Sequence, residues 1–437
     1  MIDLSTRELA ECAGAELAAG DPEATGPERV VVDTRELRPG DLFVGLPGGR
    51  VDGGEFAAQA LEAGAWGVLV EARHASSSGT VLVADDPLAS LGRLARAWRR
   101  KLGCPVVGIT GSTGKTSTKD ILAALLAPRI RTHANRENLN TEIGLPLSLL
   151  AAPLGTEVAV LEMAMRGEGQ IAELAGIAEP DVGVIVNVGP VHLELLGTVE
   201  RVAAAKAELI RDLPEGAACV LPDFEPLLDT HLRDDLDTWT FGPAGQVKLL
   251  SYDRGHAEVE ARGELIELDL GYSEPHNLLN TLAAVAAARA LGLPVGGSVE
   301  VSFSSLRGEV VELPGGVVVV NDCYNANPMS MRAALDHLAE SPAERRIAVL
   351  GTMAELGGGS AEYHRAVGEH AAAREIDVLV PVGEEALPYL EGFDGEVHPV
   401  GTPEQAGALL EEVARPGDRV LVKGSRSAGL ERVLAVA

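Results

Sequence analysis

Short runs of apolar residues alternate along the chain with segments that have the spacing of amphipathic helices. In the first hundred residues, the pattern predicts strands at 29–33, 42–46 and 64–70, and a helix at 56–63. Strands and helices in this order indicate a sheet covered by helices. We therefore expect a small α/β domain that ends near residue 102.

The second segment repeats the order of strand, glycine-rich loop and helix from residue 105 onward. Strands are predicted at 106–110, 157–163 and 181–188, a helix at 117–126, and an alanine-rich helix at 277–291. Fully apolar strands that alternate with helices are typical of a parallel sheet with both faces covered. A Gly-, Pro- and Ser-rich stretch at 292–305 is interpreted as a linker.

The third segment shows the same pattern, with strands predicted at 317–321, 346–350, 377–382 and 419–423 and helices between them. Such a pattern is typical of one doubly wound domain. The fold class is therefore predicted as α/β with three domains, at residues 1–102, 103–304 and 305–437.

Composition limits the possible functions. The chain of 437 residues has a formal net charge of −29, which argues against binding to nucleic acid, because a phosphate backbone requires clustered cations. No apolar run reaches the length of about 18 residues that suggests a membrane-spanning helix. The four cysteines lack the spacing of a metal site. We expect a cytoplasmic, monomeric protein that does not insert into membranes.

A glycine-rich loop between a predicted strand and a predicted helix carries the strongest chemical signal. The loop and the first residue after it are Gly111, Ser112, Thr113, Gly114, Lys115, Thr116 and Ser117. Backbone N–H groups at such a helix start can bind phosphates, while the lysine reaches the β/γ-phosphates and the threonine hydroxyl binds Mg²⁺. Ile109 stands where the common motif has glycine, so the loop is a variant. No Asn-Lys-x-Asp motif for reading guanine is present, which argues against a GTPase.

Seven segments in a characteristic order resemble those of the Mur ligase family. They are GITGSTGKT at 108–116, NLNTEIGLP at 138–146, LEMAMRGEG at 161–169, NVGPVHLE at 187–194, HNLLN at 276–280, DCYNANP at 322–328 and KGSR at 423–426. The family implies an N-terminal domain that holds the UDP end of the substrate, a central ATPase domain with the phosphate loop, and a C-terminal Rossmann-like domain that receives the amine. This division matches the three segments.

The resemblance also implies two Mg²⁺ ions and three catalytic residues, Lys115, His192 and Lys206. Glu162 ends an apolar strand and His192 follows another, at the strand ends where ligands collect in parallel sheets. With Thr116 and Lys206 they are the predicted metal ligands. In similar ligases the lysine matching Lys206 is carbamylated by CO₂, which requires a neutral amine. Surface or helix-capping roles are the alternatives.

The remaining site residues are predicted by the same resemblance. Asn277 and Asn280 would lie at the adenine, and Arg307 and Asp322 at the phosphate and ribose of ATP. The predicted substrate contacts are Thr34, Arg35, Asn138, Asn140, Thr141, Tyr324, Asn325, Asn327, Lys423 and Arg426. The chain departs from the usual family pattern at Thr34, Gly54, Glu137 and Thr141. Turn formation and helix capping are the alternatives for the asparagines.

The segment Asn325-Ala-Asn-Pro328 is the pattern of the family members that add D-alanyl-D-alanine. The implied activity is ATP-dependent ligation of D-alanyl-D-alanine to UDP-N-acetylmuramoyl-tripeptide in peptidoglycan precursor synthesis. The reaction would pass through an acyl-phosphate, because a free carboxylate has no good leaving group. Two alternatives stay open: a related ligase with another amine acceptor, such as a folylpolyglutamate-type enzyme, and a nucleotide-binding protein without ligase activity.

Overall fold

Three β-sheets follow one another along the chain in the computed structural model, which describes residues 2–136, 138–304, 306–313 and 315–435. Each sheet carries its own helices, and we call the resulting parts the N-terminal, central and C-terminal units. The predicted α/β fold class is confirmed. Glu137, a departure from the family pattern, and Ser305, the end of the predicted linker, lie outside the described residues.

The N-terminal unit has a five-stranded sheet in the order β1-β5-β4-β3-β2, in which only the β1–β5 pair is antiparallel. Its elements are α1 (Thr6–Ala13), β1 (Glu16–Ala19), β2 (Val30–Val31), β3 (Leu42–Val44), α2 (Ala57–Glu62), β4 (Gly67–Val70), β5 (Thr80–Val83) and α3 (Pro87–Leu102). The long helix α3 joins this unit to the next one. Its buried Trp98 donates a hydrogen bond to the carbonyl oxygen of Ala152, at 3.0 Å.

The central unit has a ten-stranded sheet in the order β15-β14-β13-β12-β11-β10-β9-β6-β8-β7. Its strands are β6 (Val106–Thr110), β7 (Thr132–Ala134), β8 (Val158–Glu162), β9 (Val182–Ile185), β10 (Ala218–Pro222), β11 (Asp237–Phe241), β12 (Val247–Asp253), β13 (His256–Ala261), β14 (Glu264–Leu270) and β15 (Gly297–Val299). Its helices are α4 (Lys115–Leu126), α5 (Gly144–Ala151), α6 (Gln170–Ala178), α7 (Leu193–Leu196), α8 (Val199–Asp212) and α9 (Pro275–Ala290).

The strands from β7 to β12 run parallel, as predicted, but β12, β13 and β14 form an antiparallel extension that was not predicted. The helix of the phosphate loop begins at Lys115 rather than at residue 117, directly after Gly114 in the left-handed conformation (φ +75°). Part of the predicted linker forms the short strand β15, which pairs with β14.

The C-terminal unit has a six-stranded sheet in the order β16-β17-β21-β18-β19-β20, which is parallel except for β16. Its elements are β16 (Glu309–Leu313), β17 (Val317–Asp322), α10 (Pro328–Glu340), β18 (Arg345–Leu350), α11 (Ser360–Ala373), β19 (Val378–Pro381), β20 (Glu396–Val397), α12 (Pro403–Val413) and β21 (Asp418–Lys423). The four predicted strands β17, β18, β19 and β21 are thus present. Among the helices of the described residues, none is both long and apolar enough to cross a bilayer.

Candidate active site

A cavity of about 960 Å³ lies between the central unit and the C-terminal unit. The carboxyl ends of the adjacent parallel strands β6, β8 and β9 open into it, as expected for an open α/β sheet. Every site residue predicted in segments two and three lines the cavity. Thr34 and Arg35 do not line it; Arg35 is paired with Asp33, at 2.5 Å between Nη2 and Oδ2, on the N-terminal unit. Their predicted role therefore stays a prediction.

The phosphate loop is held in shape by a neighbouring strand end. The Asn187 Oδ1 accepts hydrogen bonds from the backbone N–H groups of Ser112 and Thr113, at 3.1 and 2.9 Å. The Ser112 Oγ donates to the Gly189 carbonyl oxygen, at 3.1 Å. A side chain at Gly114 would meet Asn280, because an added Cβ would lie 2.5 Å from the Oδ1 of Asn280. Asn187 lies inside a segment that resembles the family but was not among the predicted site residues.

Lys115 lies beside the loop that precedes it. Its Nζ donates to the Gly111 carbonyl oxygen, at 2.9 Å. Burial lowers the pKa of Lys115, while the negative charge of Glu162 acts in the opposite direction and Arg307 adds to the lowering. Lys115 and Arg307 are thus two cations near each other, and Lys115 is poorly solvated. A bound phosphate would stabilise both positive charges.

Glu162 is fixed from several sides at the end of β8. Its Oε2 accepts from the Thr116 hydroxyl at 2.7 Å, and its Oε1 accepts from the Asn140 Nδ2 at 2.8 Å. Its backbone N–H donates to Asn135, at 2.8 Å. Asn135 was not predicted; it is buried and also donates to the Glu162 carbonyl oxygen, so it positions this strand end.

The donor set fits a magnesium ion. A carboxylate and a hydroxyl meet at Glu162 and Thr116, and Mg²⁺ prefers such hard oxygen ligands while keeping waters and phosphate oxygens in its shell. Within the described residues, no group of three or more His, Cys, Asp and Glu side chains could hold a metal.

His192 and Lys206 face the same cavity from the loop before α7 and from α8. His192 has a left-handed backbone (φ +53°), and its Nδ1 is hydrogen-bonded to the carboxylate of Glu355 from the C-terminal unit. Burial lowers the pKa of His192, against the effect of Glu355. Lys206 is 2% exposed; burial, and then the charge of Lys115, holds its pKa well below the usual value of lysine. Glu355 was not predicted.

The two residues predicted to lie at the adenine are in the first two turns of helix α9. Asn277 and Asn280 are both nearly buried, and the Asn280 Nδ2 lies 3.4 Å from the Asn277 Oδ1. The N-cap of the helix is Glu274, so helix capping does not explain either asparagine. Burial lowers the pKa of the neighbouring His276, against the effect of the Glu274 and Asp322 carboxylates.

The C-terminal unit brings further predicted residues to the cavity. The guanidinium of Arg307 lies over the ring of Tyr324, 4.1 Å from its centroid, a cation–π contact. The Nε of Arg307 is buried and has no hydrogen-bond partner within the described part of the chain. The Lys423 Nζ lies 2.6 Å from the Asp322 carboxylate and donates to the Asn325 carbonyl oxygen at 3.1 Å, so it holds the loop after β17.

Asn327 caps the N-terminus of α10, which is the helix-capping role given above as the alternative to substrate binding. Its Oδ1 accepts from the Ser330 backbone N–H at 3.0 Å, and the Ser330 Oγ accepts from the Asn327 N–H, which together form a capping box at the start of α10. Its predicted contact with substrate is compatible with this geometry and stays a prediction. Arg426 pairs with Glu431, at 3.6 Å.

Comparisons with known proteins agree with this architecture. The profile "Mur ligase family, catalytic domain" matches residues 28–96, "Mur ligase middle domain" matches 109–288, and "Mur ligase, glutamate ligase domain" matches 306–426. The UDP-N-acetylmuramoyl-tripeptide--D-alanyl-D-alanine ligase of Synechocystis is 37% identical over 93% of this chain and 91% of its own length. The Bacillus subtilis enzyme of the same name is 34% identical over 99% and 98%.

Solved structures give the same result. MurF from Acinetobacter baumannii has a TM-score of 0.88 and 27% identity, over 99% of this chain and 98% of that chain. MurF from Thermotoga maritima, in complex with ADP, has a TM-score of 0.84 and 35% identity, over 93% and 96%. The three domain profiles, the near full-length relatives and the ordered motifs around the cavity agree, and the chain belongs to the Mur ligase family.

Proposed function

We propose that this Mur ligase joins D-alanyl-D-alanine to UDP-N-acetylmuramoyl-tripeptide, with ATP as the activating substrate, in peptidoglycan precursor synthesis. Relatives that carry this name match at 34–37% identity over nearly the whole chain. The observation that carries the proposal is that the phosphate loop of the central unit and Asn325, Ala326 and Asn327 of the C-terminal unit line the same cavity. We further propose that the enzyme works as a cytoplasmic monomer.

The chemistry requires activation of a carboxylate. Transfer of the γ-phosphoryl group of ATP to a carboxylate oxygen gives an acyl-phosphate and ADP. The amine nitrogen then attacks the carbonyl carbon, phosphate leaves with the electron pair of the broken C–O bond, and the nitrogen loses a proton. Phosphoryl transfer depends mainly on positioning and charge neutralisation, which Lys115 of the central unit and Arg307 of the C-terminal unit can provide, since both line the cavity. Enclosure between the two units would keep out the water that hydrolyses an acyl-phosphate.

Two Mg²⁺ ions are part of the proposal. When bound, they would neutralise negative charge on the phosphates of the nucleotide. Thr116 and Glu162 would hold one ion, and His192 and Lys206 would lie at the other. We propose that the neutral Lys206 amine adds to CO₂ and loses a proton, which gives a carbamate anion. The burial of Lys206, which lowers its pKa, supports the neutral form.

The three units would divide the work as three domains, at residues 1–102, 103–304 and 305–437. The N-terminal domain would bind the uridine end through Thr34 and Arg35. Asn138, Asn140 and Thr141 would contact the substrate between this end and the phosphate loop. Residues of the C-terminal domain would receive the dipeptide: Tyr324, Asn325, Asn327, Lys423 and Arg426.

The test is release of phosphate from ATP with each substrate omitted in turn. We expect release only when the UDP-tripeptide and D-alanyl-D-alanine are both present. In a parallel assay, lysine or diaminopimelate replaces the dipeptide and the corresponding UDP-dipeptide replaces the UDP-tripeptide. Better ligation of the single amino acid would assign the chain to a different acceptor. No ligation with any amine would favour a nucleotide-binding protein without ligase activity.

A further inference from the structure

The contact between His192 and Glu355 joins two loops from different units. His192 lies in the central unit, and Glu355 follows β18 of the C-terminal unit; both side chains line the cavity. Both residues have left-handed backbones, with φ of +53° and +63°. Such a conformation is unfavourable for residues other than glycine and persists only where the surroundings hold it. Such conformations are concentrated at functional sites, and here two residues that have them are in direct contact.

Further contacts hold the Glu355 loop in place. The backbone N–H of Glu194 donates to the Glu355 carbonyl oxygen, at 3.1 Å, and the Arg166 guanidinium lies 3.5 Å from the Glu355 carboxylate. Gly357 approaches so closely that an added Cβ would lie 3.3 Å from the Glu194 Cα. Glu355 is thus attached to the central unit through its backbone and its side chain.

We propose that Glu355 is a positioning residue that orients the imidazole of His192 from across the boundary between the units. The Nδ1–H donates to the carboxylate, so the Nε2 keeps its lone pair for a metal ion. Carboxylates that accept from the second nitrogen of a histidine fix its tautomer and its ring orientation in this way. The inference rests on the proposed metal site of the function above. It implies that this site is complete only when the C-terminal unit is seated on the central unit.

The test measures Mn²⁺ binding by electron paramagnetic resonance, with a non-hydrolysable ATP analogue present and no amine acceptor. We expect Glu355→Ala to lower the affinity for one of the bound Mn²⁺ ions by about 10- to 100-fold, as removal of such a carboxylate typically does. Glu355→Gln should weaken it less, because its carbonyl oxygen can still accept from Nδ1. Glu194→Gln is the matched control, since its exposed side chain belongs to the same contact region; it should bind Mn²⁺ like the unchanged protein.

The double variant His192→Ala/Glu355→Ala separates positioning from a general structural role. If Glu355 acts through His192, the double variant should bind Mn²⁺ as weakly as His192→Ala alone. Mn²⁺ binding by Glu355→Ala equal to that of the control would overturn the proposal, as would additive losses in the double variant. Because no amine is present, a wrong assignment of the acceptor leaves this result unaffected.

Discussion

Gly189 of the central unit lies against Met329 of the C-terminal unit, with no room for a side chain. A Cβ added there would lie 1.9 Å from the Sδ of Met329 and 3.1 Å from its Cγ. Met329 is the second residue of α10. The φ of Gly189 is not in the left-handed region, so alanine adds no backbone strain. We predict that Gly189→Ala leaves the central unit folded but destabilises the seated position of the C-terminal unit.

The size of the effect follows from the overlap. Extra carbon atoms in a packed contact typically cost about 1–3 kcal/mol, because the neighbouring side chain relieves the overlap only in part. Each 1.36 kcal/mol corresponds to about tenfold in rate. If the seated arrangement is the one that turns over, kcat/KM should fall by about 5- to 150-fold. The hydrogen bonds of Gly189 to Ser112 use only backbone atoms of Gly189, so alanine can retain them.

The assay is phosphate release in the presence of the UDP-tripeptide and D-alanyl-D-alanine. Met329→Ala removes the atoms that collide, so the double variant Gly189→Ala/Met329→Ala should recover activity relative to Gly189→Ala. Thermal unfolding of each variant is the control for loss of fold. Unchanged activity of Gly189→Ala, or a double variant no better than Gly189→Ala, would refute the reasoning.

Three further predictions concern the cavity. Lys115→Ala should abolish turnover, because it removes the charge that faces the β/γ-phosphates; near-normal ligation would show that ATP binds elsewhere. Lys206→Ala and Lys206→Arg should each lose activity by about 10²–10³-fold, and the unchanged enzyme should lose activity after CO₂ removal and regain it with bicarbonate; a fully active Lys206→Arg would contradict the carbamate. Small-angle scattering should show compaction when an ATP analogue and the UDP-tripeptide bind together, and an unchanged radius would argue against closure.

The sequence was most informative where the functional residues lie in elements that follow one another directly along the chain. The phosphate loop could be predicted because a buried strand, a glycine loop and a helix follow one another within 106–126, and the structure has β6 at the predicted bounds. The predicted strand at 181–188 was too long, since β9 ends at Ile185. The chain then leaves the sheet, and Asn187 holds the phosphate loop. Val186 and Val188 on either side of Asn187 are apolar, so hydrophobicity alone could not locate this end.

Other features depended on contacts that the linear pattern does not contain. Glu355 is 163 positions from His192 in sequence, and no local motif marks it as a partner. Asn135 is likewise recognisable only from its hydrogen bonds to Glu162. The antiparallel extension was predictable in part, because β14 alternates buried and exposed residues from Ile266 to Leu270, the period of a half-buried strand.

The division of the site between two units has a chemical consequence. Asn187 holds the loop before α4, and Thr116 is hydrogen-bonded to Glu162; both contacts lie within the central unit. The proposed nucleotide site therefore keeps its shape without contacts from the C-terminal unit. Arg307 and Glu355 belong to the C-terminal unit and reach the cavity only when it is seated. An acyl-phosphate needs protection from water, whereas loading and release need an open site. A preformed nucleotide site combined with residues added by closure satisfies both requirements.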